Sequence, residues 1–348
     1  HRIYAQKLDS RGNRLWSTDV CVNRDTEMIR VSDTDVDIDE HGNATIVWED
    51  MRSGNADIFA QRLSTDGHRL WAGDVRVNAA TGTTDQWDPS VVVDMDGNAS
   101  IVWSDYSEIY AQRLSISGNK MWASDVQVNS VTAGQQAIPS IALGEGNSVF
   151  VVWADSRGDD LDIYCQRLGS SGSKLWGDDV RVNSKYLSGN QWEPVVGVDE
   201  YDNVSVAWRH GDDIYAQRLD GDGGMLWPSD VEVSTTAFSR FDSLAIAVQE
   251  TGEALIVWED TRQGNPDIYA QRLDDDGNEL WIADLRVNSD SDPVGQGSPD
   301  ATVAADGNAI VVWGGGVNND VCAQRLDAGG QKRWKADIRV NFDSGVAK

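Results

Sequence analysis

Aromatic rings set beside carboxylates and amides are the side chains that grip a sugar. A ring stacks on the apolar face of the sugar, while oxygen and nitrogen groups take its hydroxyls. The sequence offers this combination at Gln86-Trp87-Asp88, Gln191-Trp192-Glu193 and Arg240-Phe241-Asp242. Corresponding segments elsewhere hold small or aliphatic residues, as in Gln136-Ala137-Ile138 and Gln296-Gly297-Ser298. The first three are therefore singular positions in a repeated framework, and they are the candidate ligand-binding residues. Loop aromatics that merely cover the end of a core are the plainer alternative. Asp88 and Glu193 would also serve acid–base hydrolysis if their carboxylates lay within about 5–10 Å.

A second group invites a metal. Asp33, Asp35, Asp37 and Asp39 alternate along one segment, and on an extended strand alternate side chains share a face. Such crowding calls for a cation or an arginine, and calcium is the oxygen-seeking choice. The segment is no EF-hand loop, because Ile38 stands where glycine is needed and Ala44 where the bidentate glutamate belongs. No cofactor is expected apart from calcium at this segment, and a partly exposed strand A is the plainer alternative. His1, His41, His68 and His210 are scattered through different repeats, so no zinc constellation emerges, and no Ser/His/Asp or Cys/His grouping can be drawn.

The elements that must position these residues come from a repeat. An Ile-Tyr-Ala-Gln-Arg-Leu strand, a turn, Leu-Trp and Asp-Val-Arg-Val-Asn recur seven times, the strand running from Ile3, Ile58, Ile109, Ile163, Ile214, Ile268 and Val321. A strand-like period of roughly 50–55 residues predicts an all-β propeller of four-stranded antiparallel blades. In the unit from Asp88 to Asn129, four short apolar runs are joined by Gly/Asn/Asp hairpins; we label them A to D. Small residues in the middle of strand A (Ala142, Gly197, Ala247) place A innermost, where blades converge.

The A–B half occurs six times and the C–D half seven. Residues 24–78, 79–129, 130–183, 184–234, 235–288 and 289–341 make complete blades of one domain spanning 1–348, and residues 1–23 make the outer hairpin of an incomplete one. The count favours seven blades. The spacing from the B-strand Trp to strand C alternates as 10, 6, 10, 6, 10 and 8 residues, which pairs the blades and favours six. Repeated polar residues read as scaffold, since an active site is singular. The strand-C Gln-Arg pair and the Asp opening strand D predict ion pairs between neighbouring strands, and Asp50-x-Arg52, Asp155-x-Arg157 and Asp260-x-Arg262 follow the same logic.

The pattern Trp258-Glu-Asp-Thr-Arg-Gln-Gly-Asn-Pro-Asp-Ile-Tyr269, followed by a strand and an Asp-x-Gly turn, resembles the TolB-type propeller repeats of bacterial secreted and periplasmic proteins. That resemblance implies a propeller and leaves function open, because such repeats serve scaffolds, binders and enzymes alike.

Composition narrows the partners. The 57 acidic residues outnumber 29 basic ones, for a net charge of −28, which repels nucleic acid and anionic membranes. No apolar run approaches a membrane span, so no membrane insertion is expected. Cys21, Cys165 and Cys322 fall at inequivalent repeat positions and read as isolated thiols. The leading expectation is a non-enzymatic propeller, extracellular or at the cell surface, that binds a glycan or a protein partner, with strand exchange or assembly through residues 1–23. The alternative is a carbohydrate-active lyase or hydrolase.

Overall fold

A computed structural model describes residues 2–24, 30–79, 84–158, 160–183, 188–234, 243–289, 295–316 and 320–342. Arg240, Phe241 and Asp242 lie outside them. A two-stranded sheet pairs β1 (Tyr4–Ala5) with β2 (Val20–Cys21). Blade 1 comprises β3 (Val31–Ile38), β4 (Ala44–Asp50), β5 (Asp57–Leu63) and β6 (Val75–Arg76). Blade 2 comprises β7 (Trp87–Val93), β8 (Ala99–Ser104), β9 (Ile109–Leu114) and β10 (Val126–Gln127). Blade 3 has β11 (Gln136–Leu143), β12 (Val149–Asp155), β13 (Asp162–Leu168) and β14 (Val180–Arg181). Blade 4 has β15 (Gln191–Val198), β16 (Val204–His210), β17 (Asp213–Leu219) and β18 (Val231–Glu232). Blade 5 has β19 (Leu244–Val248), β20 (Ala254–Asp260), β21 (Asp267–Leu273) and β22 (Leu285–Arg286). Blade 6 has β23 (Gln296–Val303), β24 (Ala309–Gly315), β25 (Asp320–Leu326) and β26 (Ile338–Arg339).

Every blade is an antiparallel sheet in sequence order, as hairpin chemistry requires. The chain is thus an all-β propeller of six four-stranded blades plus the two-stranded sheet. This corrects the preference for seven: a C–D half holds no inner pair, so residues 1–23 build only a two-residue ladder. The chain divides into two compact units, one of His1–Ala5 with Val20–Arg181, the other of Gln6–Asp19 with Val182–Lys348. In the first unit β3 packs on β7 and β7 on β11; in the second β15 packs on β19 and β19 on β23. A strands therefore converge, as their small residues predict. A Cβ on Gly197 would strike the Val248 side chain of the neighbouring A strand.

B strands are sandwiched on both faces, which accounts for their unbroken apolar runs. Their tryptophans, Trp48, Trp103, Trp153, Trp208, Trp258 and Trp313, are no more than 2% exposed, and each buried indole N–H needs an acceptor. Two solutions alternate. In blades 1, 3 and 5 the indole donates to Asp50, Asp155 and Asp260 at 3.0, 2.9 and 3.2 Å. In blades 2, 4 and 6 it donates to Gln86, Gln191 and Gln296 at 2.7, 2.9 and 2.9 Å. The longer B–C loops carry the arginines that hold those aspartates: Arg52 and Arg157 also clamp Asp74 and Asp179 and lie over the Phe59 and Tyr164 rings.

The C-strand pairs are structural, with partners exchanged relative to expectation. Gln61, not Arg62, bonds the strand-D Asp74, at 3.3 Å, and Gln112 does the same with Asp125. Arg62, Arg113 and Arg218 instead bind Asp39, Asp94 and Asp199 in the A–B turns of their own blades. They also reach the next blade's turn carbonyls at Gly97, Asn147 and Gly252. Gln61 and Arg62 are successive residues of strand C and leave opposite faces of the sheet, and spacing along the chain does not reveal which face meets which carboxylate. Cys21, Cys165 and Cys322 are free thiols.

Candidate functional site

Five A strands open on a β-bulge, and the segment leading into β19, residues 235–242, lies outside the described residues. The register slips between Ser32 and Thr34, Trp87 and Ser90, Ala137 and Ser140, Trp192 and Val195, and Gly297 and Asp300. One residue in each bulge takes the left-handed conformation: Asp33, Asp88, Ile138, Glu193 and Ser298, with φ between 51° and 55° for the last four and 40° for Asp33. None is glycine, so each carries backbone strain of order 1–3 kcal/mol. Bulges re-aim side chains, and here the framework presents the singular residues of the sequence.

In the first unit two bulge carboxylates, Asp33 and Asp88, gather with Glu49 of β4. Ser32 Oγ donates to Glu49 Oε2 at 2.8 Å, and the backbone N–H of Asp88 donates to Glu49 Oε1 at 2.9 Å. Glu49, only 2% exposed, thus ties the bulge of its own blade to that of the next. Burial first, with the adjacent Asp33 carboxylate adding to it, pushes Glu49 up to about 7. Hydrogen bonds from Asp88 N–H and Ser32 act against the rise. Asp88 is also raised, by burial and then by Asp33, while Ser104 Oγ donates to its Oδ2 at 3.5 Å. Asp33 itself is exposed. Beside this cluster the rings of Trp87 and Tyr106 meet at 5.7 Å, with Tyr106 half exposed. Burial and then the Asp88, Glu49 and Asp33 charges hold the Tyr106 phenol in its neutral form.

The second unit holds a different set. Trp192, 39% exposed, lies opposite Arg209 in the ladder, and Arg209 comes within 4.0 Å of Glu193. Gln191 Nε2 and His210 Nδ1 are 2.7 Å apart, and the His210 ring meets the edge of Tyr215.

Two candidates change role. Gln86 and Gln191 receive the buried tryptophan N–H groups and so belong to the scaffold. Trp87, Asp88, Trp192 and Glu193 remain at the A-strand ends. Of the proposed calcium ligands, only Asp33 joins the cluster. Asp35 accepts the N–H of Val91 and the Ser90 hydroxyl, and Asp37 accepts the N–H of Val93, so both stitch β3 to β7. Asp39 caps its own turn through His41 and Asn43. Among the described residues no group of three or more His, Cys, Asp or Glu is arranged to hold a metal ion.

Glu49, Ser32 and Tyr106 are absent from the candidates that the sequence yields. One signal was available. The residue following the B-strand Trp differs in almost every blade (Glu49, Ser104, Ala154, Arg209, Glu259, Gly314) while the Trp never does.

No family model matches the chain, and no curated protein matches it. Solved structures do. An ulvan lyase of a polysaccharide lyase family is 10% identical with a TM-score of 0.60, over 94% of this chain and 87% of that one. An alpha-L-arabinanase from Penicillium chrysogenum is 12% identical with a TM-score of 0.58, over 86% and 94%. A virginiamycin B lyase from Staphylococcus aureus is 8% identical with a TM-score of 0.53, over 99% and 90%. These likenesses establish the propeller fold and do not extend to the TolB repeat type.

Proposed function

We propose that this chain is a carbohydrate-active enzyme that hydrolyses a neutral glycan at the A-strand ends of its first unit. One observation carries the reading: the Asp33, Glu49 and Asp88 carboxylates gather beside the Trp87–Tyr106 ring pair. The rings offer a stacking wall. Asp88, made a weaker acid by burial, is the proton donor to the glycosidic oxygen. Asp33, facing solvent, is the base that takes a proton from the attacking water. Glu49 is a positioning residue that holds both bulges. The groups acting on Glu49 and Asp88 are carboxylates, hydroxyls and backbone amides, so a uronate would add charge to an already anionic place. Propellers that act on polysaccharides, such as the ulvan lyase and the arabinanase, support the reading.

The test is release of reducing ends from a panel of neutral polysaccharides. Asp88→Asn and Asp33→Asn should each lower turnover by about 100-fold or more. Sugar binding without turnover in the unaltered chain would return the protein to the non-catalytic glycan-binding reading.

The second unit favours a second reading on its own. Trp192, Arg209 and His210 combine a ring with a guanidinium and an imidazole, which suits an acidic sugar and lyase chemistry. Unsaturated product from a polyuronate, abolished by Arg209→Ala and retained in Asp88→Asn, would favour it. Secretion fits either reading, since polymeric glycans are met outside the cell.

A further inference from the structure

We propose that blade 2 carries a guanidinium site, formed by Asp105, Tyr110 and Asp125, for an arginine side chain or another alkylguanidinium from outside the chain. Blades 1, 3 and 5 show the group bound to matching residues. Arg52, Arg157 and Arg262 lie over the strand-C rings of Phe59, Tyr164 and Tyr269, at 4.3, 3.9 and 4.2 Å from the ring centres. Each also binds the aspartate two residues before it, Asp50, Asp155 or Asp260. Its third partner is the aspartate opening strand D, Asp74, Asp179 or Asp284, at 3.1, 2.8 and 2.8 Å. Two carboxylates and a ring face suit a planar guanidinium better than a compact ammonium.

Blade 2 keeps the three partners and has no arginine to fill them. Asp105, Tyr110 and Asp125 hold the same repeat positions, but Ser107 stands where Arg52, Arg157 and Arg262 do. The backbone is alike at that point. Ser107 N–H donates to Asp105 Oδ1 at 2.9 Å, as the N–H groups of Arg52 and Arg157 donate to Asp50 and Asp155 Oδ1 at 2.9 and 2.8 Å. In blades 1 and 3 the other oxygen, Oδ2, takes both the B-strand Trp N–H and the guanidinium. Trp103 donates to Gln86 instead, so Asp105 Oδ2 accepts no hydrogen bond among the described residues.

The strand-D carboxylate is likewise less covered. The Asp125 side chain is 14% exposed, whereas Asp74, Asp179 and Asp284 beneath their arginines are 0–1% exposed. Lys120, the nearest cation, stays 3.8 Å from Asp125, beyond hydrogen-bond reach. Burial, then the Asp105, Glu108 and Asp125 charges, push the Tyr110 phenol up. Around Tyr164 and Tyr269 the acids are offset by Arg157 and Arg181, and by Arg262 and Arg286. Strand D of blade 2 has Gln127 in the place of Arg181 and Arg286, and its amide donates to Glu108 at 2.8 Å. Tyr110 pairs with Trp103 and Trp87 with Ser104. Trp103 and Ser104 leave opposite faces of the strand, so this site is distinct from the ring pair assigned to sugar. A net charge of −28 draws cations towards it.

The experiment titrates methylguanidinium and, separately, the tripeptide acetyl-Gly-Arg-Gly-amide into the full chain. Tyrosine ring signals are followed by NMR, with Tyr110 identified through Tyr110→Phe. Both probes should give saturable shifts at Tyr110, with binding about fivefold or more tighter than that of butylammonium. A tighter tripeptide marks a polypeptide arginine as the natural source, and parity marks a free guanidinium compound. Asp105→Asn keeps the Oδ1 acceptor of the turn and removes the charge, so it should weaken binding by about tenfold. Ser107→Arg recreates the Asp-x-Arg clamp, so it should abolish binding and raise the melting midpoint. Three outcomes overturn the proposal: no shift at Tyr110, an equal response to butylammonium, or binding unchanged in both Asp105→Asn and Ser107→Arg.

Discussion

Glu49 combines two duties that pull against each other. Its oxygens fasten two strained bulges, and that fastening requires burial, which disfavours the charged form. The carboxyl is held up to about 7 from its ordinary 4.5, so between those values the folded chain keeps a proton that the unfolded chain has lost. The stability this group contributes is therefore complete below about pH 4.5 and is lost as pH rises towards 7. Glu49→Gln should change little at pH 5 and raise stability above pH 7 by about 1–3 kcal/mol. Urea unfolding at pH 5 and pH 8 measures this, and equal effects at both would refute it. If the cluster is catalytic, the same variant should also flatten the alkaline limb of the rate profile.

Between strands, the recurring device is an arginine that leaves strand C, pairs with the carboxylate of its own A–B turn and bonds the next blade's turn carbonyl. Arg113 shows it in full, with Asp94 on one side and Asn147 O at 3.1 Å on the other. Such a pair is nearly dry, Arg113 and Asp94 being 3% and 2% exposed. Deleting one partner should then cost about 3–5 kcal/mol, while replacing both with apolar residues costs less. Chemical denaturation of Arg113→Met, Asp94→Leu and the double variant tests this. A double variant as unstable as the sum of the two would mean that the charges contribute independently. The alternating tryptophan acceptors follow the loop lengths: a ten-residue spacing leaves room for the Asp-x-Arg clamp, whereas at spacings of six and eight a glutamine from strand A takes over.

Across the whole chain, a net charge of −28 is spread over blades whose cores are apolar. Like charges on a compact body repel, and salt screens them over a Debye length of about 10 Å at 0.1 M. The melting midpoint should rise from low salt to about 0.5 M sodium chloride, as differential scanning calorimetry would record. A falling midpoint would mean that the buried arginine pairs, rather than surface repulsion, dominate the salt response.

Repetition within one chain displays what every blade needs, so strand order and the scaffold role of the Gln-Arg and Asp residues were legible in the sequence. The singular residues at Trp87 and Asp88 stood out against that background. The strands around them hid what they do. Gln86 looks like a sugar ligand until Trp103 is seen donating to it, and Asp35 and Asp37 look like metal ligands until β7 is seen lying alongside. Glu49 and Asp33 come together only because one bulge faces a neighbouring strand. Local pattern and turn chemistry determine which strands form. Which side chains meet depends on register and on contacts between blades, and only the tertiary structure decides those.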